Sequence, residues 1–283
     1  MAILKSLSDR MKEYENQTQT KLIKKLPVII RIDGRGFSKF TRGFDKPFDV
    51  DLSNIFQNVA LSLRKSIDNV KFIYSQSDEI SLLLTDWDHS KEEDGGRIDT
   101  WYDYRIQKIV SVISSEATAL FNKALYEKIK EYDAYWVLAS FNDLQNNKSK
   151  SESTAEKTSA KQKLLEKKLF KAMFDARVFN LPLDEVTNYF IYRQQDALRN
   201  SISGFARKYY STKQLQGVNN TTKIEMVRDE YSVDFYEDIE QIQKVGFAIV
   251  TNLKAGDTGK DKFEIDKNIP LFKENRDYIE RYL

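Results

Sequence analysis

The pattern of apolar and polar residues predicts an alternation of strands and helices. Short β-branched runs bounded by turn residues indicate strands, and apolar side chains at helical spacing indicate helices. The predicted strands lie at 28–32, 70–75, 80–85, 135–139, 173–180 and 246–251. The predicted helices lie at 1–21, 51–67, 101–129 and 183–210, with Asp51 as the expected cap of the second. The segment 76–79 predicts a tight hairpin between two of the strands.

The element order β–α–β–β–α–β predicts an α+β fold. This is the ferredoxin-like arrangement of a polymerase palm, an antiparallel sheet with helices packed on one face, here with a C-terminal extension. Residues 1–144 and 172–283 are expected to form a single palm-type catalytic domain. Residues 145–171 are rich in Lys and Ser and predict a flexible low-complexity insertion.

The composition excludes several kinds of chemistry. The 283 residues include no Cys and one His, His89, which lies in a charged run that predicts a solvated loop. Thiolate metal sites, cysteine nucleophiles and multi-histidine sites are therefore excluded. With 45 basic and 43 acidic residues the net charge is +2, so a nucleic-acid surface has to be a local patch. A metal site would have oxygen ligands, which favour magnesium, manganese or calcium.

Carboxylates stand where two predicted central strands meet. Asp33 ends the first strand, and Asp78 and Glu79 lie in the hairpin turn beside it. Converging aspartates suit a pair of divalent ions of the kind that drives phosphoryl transfer. Asp-Gly and Ser-Asp-Glu are also ordinary turn sequences, and each segment alone favours that interpretation. Their predicted meeting at one rim favours a functional site.

Basic and hydroxyl groups surround these carboxylates. The stretch 34–38 offers a run of backbone N–H groups for phosphate oxygens, although its spacing matches no P-loop or dinucleotide fingerprint. A solvated basic loop is the alternative. The surrounding side chains are Arg31, Arg35, Ser38, Lys39, Arg42, Lys46 and Ser77.

Four segments resemble one family, the tRNA(His) guanylyltransferases, which are 3′-to-5′ RNA polymerases. They are RIDGRGFSKFTRGFDKPFD at 31–49, YSQSDEISLLL at 74–84, FDARV at 174–178 and RQQDA at 193–197. The resemblance covers most of residues 5–250. Members that act on eukaryotic tRNA(His) carry a His-Ile-Asn-Asn-Leu-Tyr-Asn segment, where this chain has LRNSISG at 198–204. This departure favours the guanylyltransferase-like branch, which rebuilds incomplete tRNA 5′ ends against a template.

The resemblance implies roles for individual residues. Two Mg²⁺ ions would be held by Asp33, the Gly34 carbonyl and Asp78, and the implied catalytic residues are Asp33, Asp78 and Glu79. Weaker RNA-contact candidates are Arg177, Arg199, Asn200, Arg207 and Lys208. The implied nucleotide-binding residues are Arg31, Asp33, Gly34, Arg35, Gly36, Phe37, Ser38, Lys46, Ser77 and Asp78.

The resemblance also implies a reaction and its partners. ATP adenylylates a 5′-monophosphorylated tRNA end, and GTP or another nucleoside triphosphate then attacks that end through its 3′-hydroxyl. Family members are tetramers that grip tRNA across subunits. A dedicated tRNA(His) guanylyltransferase is the main alternative, and a palm-type nucleotide cyclase and a non-catalytic RNA-binding scaffold are others. No membrane span or secretory signal is visible, so a cytoplasmic location is expected, with the mitochondrion left open.

Overall fold

The computed structural model describes residues 5–67, 69–87, 99–145, 154–251 and 263–283. His89 and residues 146–153 of the predicted insertion lie outside this part of the chain. The strands are β1 (Val28–Gly34), β2 (Val70–Gln76), β3 (Glu79–Leu84), β4 (Phe174–Asn180), β5 (Phe247–Thr251) and β6 (Phe263–Asp266). The helices are α1 (Leu7–Asn16), α2 (Phe37–Phe40), α3 (Val50–Ser66), α4 (Ile106–Gln145), α5 (Thr154–Lys168), α6 (Val186–Ala206), α7 (Asn220–Tyr231), α8 (Phe235–Asp238), α9 (Gln241–Val245) and α10 (Asp277–Glu280).

The six strands form one antiparallel sheet in the order β4-β1-β3-β2-β5-β6. The predicted fold class is confirmed, and β1 and β3 are neighbours as expected. Strand β6 and helices α7 to α10 form the C-terminal extension, in which the sequence predicted one strand, at 246–251. No helix in the described ranges is both long and apolar enough to cross a bilayer.

Apolar side chains cover both faces of the sheet. On one face, α3 and α4 pack on the inward side chains of β1 and β3, such as Ile30 and Leu82. On the other face, α6 and the C-terminal residues pack on Ile29, Phe72 and Leu83. The sequence predicted helices on one face only. The second layer matters because α6 brings polar side chains to the end of β3.

The structure differs from the predicted elements in three places. Residues 135–139 belong to helix α4, which is continuous from 106 to 145, so the strand predicted there is wrong. Residues 154–168 of the predicted flexible insertion form helix α5. The N-cap of α3 is Asp49, whose carboxylate accepts from Leu52 N at 3.0 Å, and not Asp51. Asp51 instead accepts a hydrogen bond from Tyr132 of α4 at 2.7 Å.

Helix α5 is anchored by an ion pair at the start of α3. Lys161 binds Asp45 at 2.8 Å and also binds Asp49, whose side chain is almost fully buried. Burial raises the pKa of Asp49, but the hydrogen bonds from Lys161 and from the N–H groups of Leu52 and Asp45 outweigh it, so the net pKa is lowered. Leu165 of α5 is fully buried in the core cluster that contains β1 and α4 residues. The segment is therefore part of the folded domain.

Replacing Lys161 by Met should destabilise the protein by about 3 kcal/mol, because the buried Asp49 charge loses its cationic partner. Urea unfolding at neutral pH measures this, with Lys163→Met as the control, an exposed lysine of the same helix. The lowered pKa of Asp49 stabilises the fold at neutral pH, and this contribution is lost as the pH falls below the ordinary value of 3.8. The pH dependence should therefore flatten in Lys161→Met. Equal stability of the two variants would refute the assigned role of the ion pair.

Candidate active site

Carboxylates from β1, β3, β4 and the β2–β3 turn lie at one rim of the sheet, where β1 ends. Asp33 lies directly opposite Glu79 of β3 on one side and opposite Asp175 of β4 on the other. Directly opposed residues of antiparallel strands project from the same face, with Cβ atoms about 5 Å apart. Asp33 and Glu79 therefore meet, as the sequence predicted, and both project toward the α6 side of the sheet.

A two-residue turn, Ser77-Asp78, joins β2 to β3 at this rim. Ser77 has a φ of +51°, a left-handed conformation that is uncommon for a residue with a side chain. Its hydroxyl donates to the Asp78 carboxylate at 3.0 Å. The Asp78 carbonyl accepts from Gly34 N at 3.0 Å, so the hairpin turn is tied directly to the end of β1. The structure thus holds Asp78 beside Asp33 through main-chain and side-chain hydrogen bonds.

Asp33 and Asp78 form an electrostatically coupled pair. Burial raises the pKa of Asp78, the Ser77 hydrogen bond opposes that rise, and the charge of nearby Asp33 adds to it. Asp33 is partly exposed and its carboxylate accepts from Arg31 Nη2 at 3.0 Å. Two nearby carboxylates of which one is largely desolvated are a favourable environment for a divalent cation. Mg²⁺ commonly takes one or two carboxylates and completes its shell with water and phosphate oxygens, so the pair fits this ion.

The carboxylate of Glu79 is fully engaged by arginines. Its side chain is 4% exposed, and Arg193 Nε donates to Oε1 at 2.7 Å while Nη2 donates to Oε2. Arg31 Nε lies 3.0 Å from Oε2 and forms an ion pair with it, but the Nε–H bond does not point at the oxygen, so the contact is not a hydrogen bond. Burial still raises the pKa of Glu79 against both arginines. Glu79 is therefore placed to position Arg31 and Arg193, and the catalytic role implied for it by the resemblance stays a prediction.

Within the described ranges, no group of three or more Asp, Glu, His or Cys side chains is arranged so that it could hold a metal ion. Because Glu79 is paired with arginines, the carboxylates at the rim that no arginine or lysine of the described chain fully engages are those of Asp33, Asp78 and the exposed Asp175. The Gly34 carbonyl remains a proposed ligand.

The loop after β1 offers backbone donors. Gly36 has a φ of +66° and precedes the short helix α2. Within the described part of the chain, no acceptor is bonded to the N–H groups of Gly36, Phe37 and Ser38. The N–H of Arg35, in contrast, is bound to Met173 O at 2.9 Å. Three neighbouring unbonded N–H groups beside two carboxylates suit the oxygens of a phosphate chain.

The side chain of Phe37 is in the core. Its ring is 4% exposed and lies with centroids 4.8 to 5.8 Å from those of Phe40, Phe56, Phe121 and Phe174. The expected nucleotide contact of Phe37 is therefore limited to its backbone. A Cβ built on Gly34 would lie 2.3 Å from this ring, so the packing of Phe37 explains why residue 34 has no side chain.

The other predicted site residues make no contact with the rim carboxylates within the described ranges. Lys46 is exposed on the loop before α3 and makes no hydrogen bond or ion pair within the described ranges, as is also true of Ser38. Arg35 is exposed and its guanidinium approaches the sulfur of Met173 at 4.0 Å. These residues are accessible to a ligand, and their binding roles stay predictions.

The RNA-contact candidates lie on β4 and α6. Arg177 is exposed and is opposite Arg31 in the β1–β4 register. Arg199 is exposed and paired with Asp196 at 3.0 Å. Asn200 is exposed on α6, whereas Arg207 and Lys208 lie at its C-terminal end, also exposed. Helix α6 covers the face of the sheet from which Asp33 projects, so these side chains and Asp33 lie on the same side of the sheet.

Sequence reasoning missed the contacts of Arg193 and Tyr189, and the position of Asp175 opposite Asp33. Arg193 and Asp175 lie in segments quoted for their resemblance, but neither had been assigned a function. Tyr189 bonds Ser81 at 3.1 Å, and Ser81 lies two residues along β3 from Glu79. The available signal was the RQQDA segment at 193–197, which was quoted for the resemblance without a role for Arg193. Its partner, Glu79, is 114 residues away in the sequence.

Comparisons with known proteins agree on one family. The family model for tRNA(His) guanylyltransferase matches residues 8–182. A bacterial tRNA(His) guanylyltransferase-like protein solved in complex with ATP is 33% identical, with 98% of both chains covered and a TM-score of 0.74. A structure described in the same terms but in complex with GTP is 32% identical, covers 98% of this chain and 99% of the other, and has a TM-score of 0.67. The tRNA(His) guanylyltransferase of Schizosaccharomyces pombe is 32% identical over 119 residues, 41% of each protein.

Proposed function

Because the chain belongs to the tRNA(His) guanylyltransferase family and is a nucleotidyltransferase, we propose that it adds nucleotides in the 3′-to-5′ direction to the 5′ end of tRNA, guided by the opposing strand. The observation that carries this proposal is the meeting of Asp33 and Asp78 beside three unbonded N–H groups at the end of β1. The likeness to guanylyltransferase-like proteins that hold ATP and GTP supports a nucleoside triphosphate as the ligand there.

The reaction has two phosphoryl transfers at this rim. An oxygen of the 5′-monophosphate attacks the α-phosphorus of ATP, pyrophosphate leaves, and the RNA end carries a 5′–5′-linked AMP. The 3′-hydroxyl of an incoming nucleoside triphosphate then attacks the activated 5′ phosphorus, and AMP leaves. The hydroxyl proton goes to solvent. The new end carries a triphosphate.

The chain's own residues bind and orient the reacting groups. Asp33 and Asp78, with the Gly34 carbonyl, would hold two Mg²⁺ ions, which would lower the pKa of the attacking hydroxyl and neutralise charge on the leaving group. The N–H groups of Gly36, Phe37 and Ser38 donate to phosphate oxygens, and Ser77 orients Asp78 through its hydroxyl. Lys46 contributes charge to a second triphosphate. Glu79 holds Arg31 and Arg193 in place.

Addition should follow the opposing base and not the anticodon, because LRNSISG occupies the position of the segment that anticodon-specific members carry. The test offers a 5′-truncated, monophosphorylated tRNA with ATP and each nucleotide in turn, and exchanges the opposing base or the anticodon. We expect each nucleotide to be added when its complement is present, with an anticodon exchange changing the rate less than about twofold. Guanosine addition that requires the His anticodon would instead establish the dedicated guanylyltransferase.

We also propose a homotetramer. The C-terminal part of α4 exposes a group of large apolar side chains that the described residues leave open to solvent. These are Tyr135, Trp136, Val137, Leu138, Phe141 and Leu144. Residues 135–138 are consecutive, so these side chains surround this part of the helix, and an exposed apolar group of this size is typical of a subunit interface.

Replacing Phe141 by Glu should lower the oligomeric mass measured by light scattering from four times the monomer mass to that of a smaller species. The charge would have to be buried in an apolar contact, which is unfavourable. Tyr236→Glu is the control, a similarly exposed aromatic residue on α8. An unchanged mass for Phe141→Glu, or a monomeric parent, would contradict the assigned interface.

A further inference from the structure

A basic cavity lies away from the carboxylate rim, between the C-terminal end of α6, the loop 207–218 and the first turn of α7. Its volume is about 390 Å³, which is within the range of small-ligand sites. Arg207, Lys213 and Lys223 line it together with the hydroxyl residues Ser203 and Thr212. None of the residues that line it in the described chain is acidic.

The three cations have no carboxylate partner. Arg207 and Lys213 are exposed and take part in no ion pair within the described ranges. Lys223 donates only to neutral oxygens, to Ser203 Oγ at 3.2 Å and Asn220 Oδ1 at 3.4 Å. This cavity therefore has a local positive charge that its own residues leave uncompensated.

The frame of the cavity is well ordered by hydrogen bonds. Tyr210 at the start of the loop donates to Met226 O of α7 at 3.0 Å, and Ser211 donates to the side chain of Gln214 at 2.7 Å. Leu215 packs into a separate apolar cluster with residues of α6 and α7. Since α6 ends and α7 begins here, the partial charges of the two helix ends are opposite in sign. The arginine and the lysines therefore decide the sign of the cavity's charge.

We propose that this cavity binds a phosphate group. Arg207 and Lys213 supply charge-assisted donors from its open side, Lys223 supplies one from its wall, and the hydroxyls of Ser203 and Thr212 can donate to further phosphate oxygens. The phosphate belongs either to the backbone of a bound RNA or to a free nucleotide. With an RNA backbone the inference rests on the proposed function, whereas a free nucleotide site is independent of it.

The experiment compares the parent with the double variant Arg207→Gln/Lys213→Gln. These two side chains are exposed and unpaired, so the variant should fold like the parent. The control is Lys12→Gln/Lys273→Gln, which changes the net charge equally through two other exposed lysines. Binding of a 5′-truncated tRNA is measured by fluorescence anisotropy over a range of salt concentrations. Binding of ATP is measured by calorimetry in the absence of RNA.

If the ligand is a phosphate of the RNA backbone, the cavity variant should lose about tenfold in tRNA affinity at low salt. The salt dependence of its tRNA binding should also weaken, by about one released counterion per lost contact. ATP binding would then be unchanged. A free nucleotide predicts that the variant loses one equivalent of bound ATP while tRNA affinity stays at the parent value. The proposal is overturned if the cavity variant matches the control in both measurements.

Failure of the proposed function is separable from failure of this inference. If the parent adds no nucleotide to any tRNA but the cavity variant weakens tRNA or ATP binding, the function is wrong and the phosphate site stands. If the parent adds nucleotides and the cavity variant matches the control in both binding measurements, only the phosphate site is wrong.

Discussion

Replacing either Asp33 or Asp78 by Asn should abolish adenylylation and nucleotide addition together. The two carboxylates lie at one rim and serve both phosphoryl transfers, so neither step can proceed without both. Removing a single preorganised electrostatic group at a reacting centre typically costs about 10² to 10³ in turnover. We expect at least this loss for each variant in a single-turnover assay with labelled 5′-monophosphorylated tRNA.

The fold and RNA binding should survive these substitutions. Asn keeps the size of Asp, and the Asp78 carbonyl that accepts from Gly34 belongs to the main chain. Affinity for tRNA should stay within about twofold of the parent, because it depends on phosphate contacts elsewhere. Asp184→Asn, at an exposed aspartate before α6, is the control and should leave turnover unchanged. Near-normal addition by either rim variant would refute the assignment of the two carboxylates.

Replacing Arg193 by Met should destabilise the protein by about 3 kcal/mol. Glu79 is buried at the start of β3. Loss of Arg193, its bidentate partner, leaves the Glu79 carboxylate with Arg31 as its one cationic neighbour in the described chain. The expected value is at the low end for a broken buried ion pair because Arg31 remains. Urea unfolding at neutral pH gives the free energy.

A double-mutant cycle separates the ion pair from the packing of Arg193. Glu79→Gln combined with Arg193→Met removes both charges, so the double variant should be more stable than the sum of the single effects predicts. A coupling energy of at least about 1 kcal/mol is expected. Additive effects would show that Glu79 and Arg193 do not stabilise one another. That result would contradict the positioning role assigned to Glu79.

The central sheet and its carboxylates were predictable because they depend on local pattern. The β-branched run before Asp33 and the hairpin around Asp78 are strong strand signals, and the ferredoxin-like order makes their strands neighbours. Once β1 and β3 pair as antiparallel neighbours, their register places Asp33 opposite Glu79, so no long-range contact has to be known. The same local reasoning could not assign the partner of Glu79, because Arg193 comes from a helix on the face of the sheet that the sequence left open.

The errors lie where tertiary contacts override local propensity. Residues 135–139 are rich in β-prone side chains, yet they continue the helix that begins at Ile106 and packs beside α5. Residues 154–168 contain few apolar side chains, and their docking depends on a lysine whose partner, Asp49, is 112 residues away. A composition rule detects neither the buried Leu165 nor that ion pair. The burial of the Phe37 ring was not predictable for the same reason, since three of its ring partners, Phe56, Phe121 and Phe174, come from distant parts of the chain.

The most direct test of the proposed reaction follows a label from ATP. The protein is incubated with α-phosphate-labelled ATP and a 5′-truncated, monophosphorylated tRNA, first without and then with the nucleoside triphosphate that pairs with the template base. We predict labelled AMP linked to the RNA 5′ end in the first stage, its release as free AMP in the second, and neither product with Asp33→Asn. Label in a cyclic nucleotide formed without RNA, or added at the RNA 3′ end, would contradict 3′-to-5′ addition at this site.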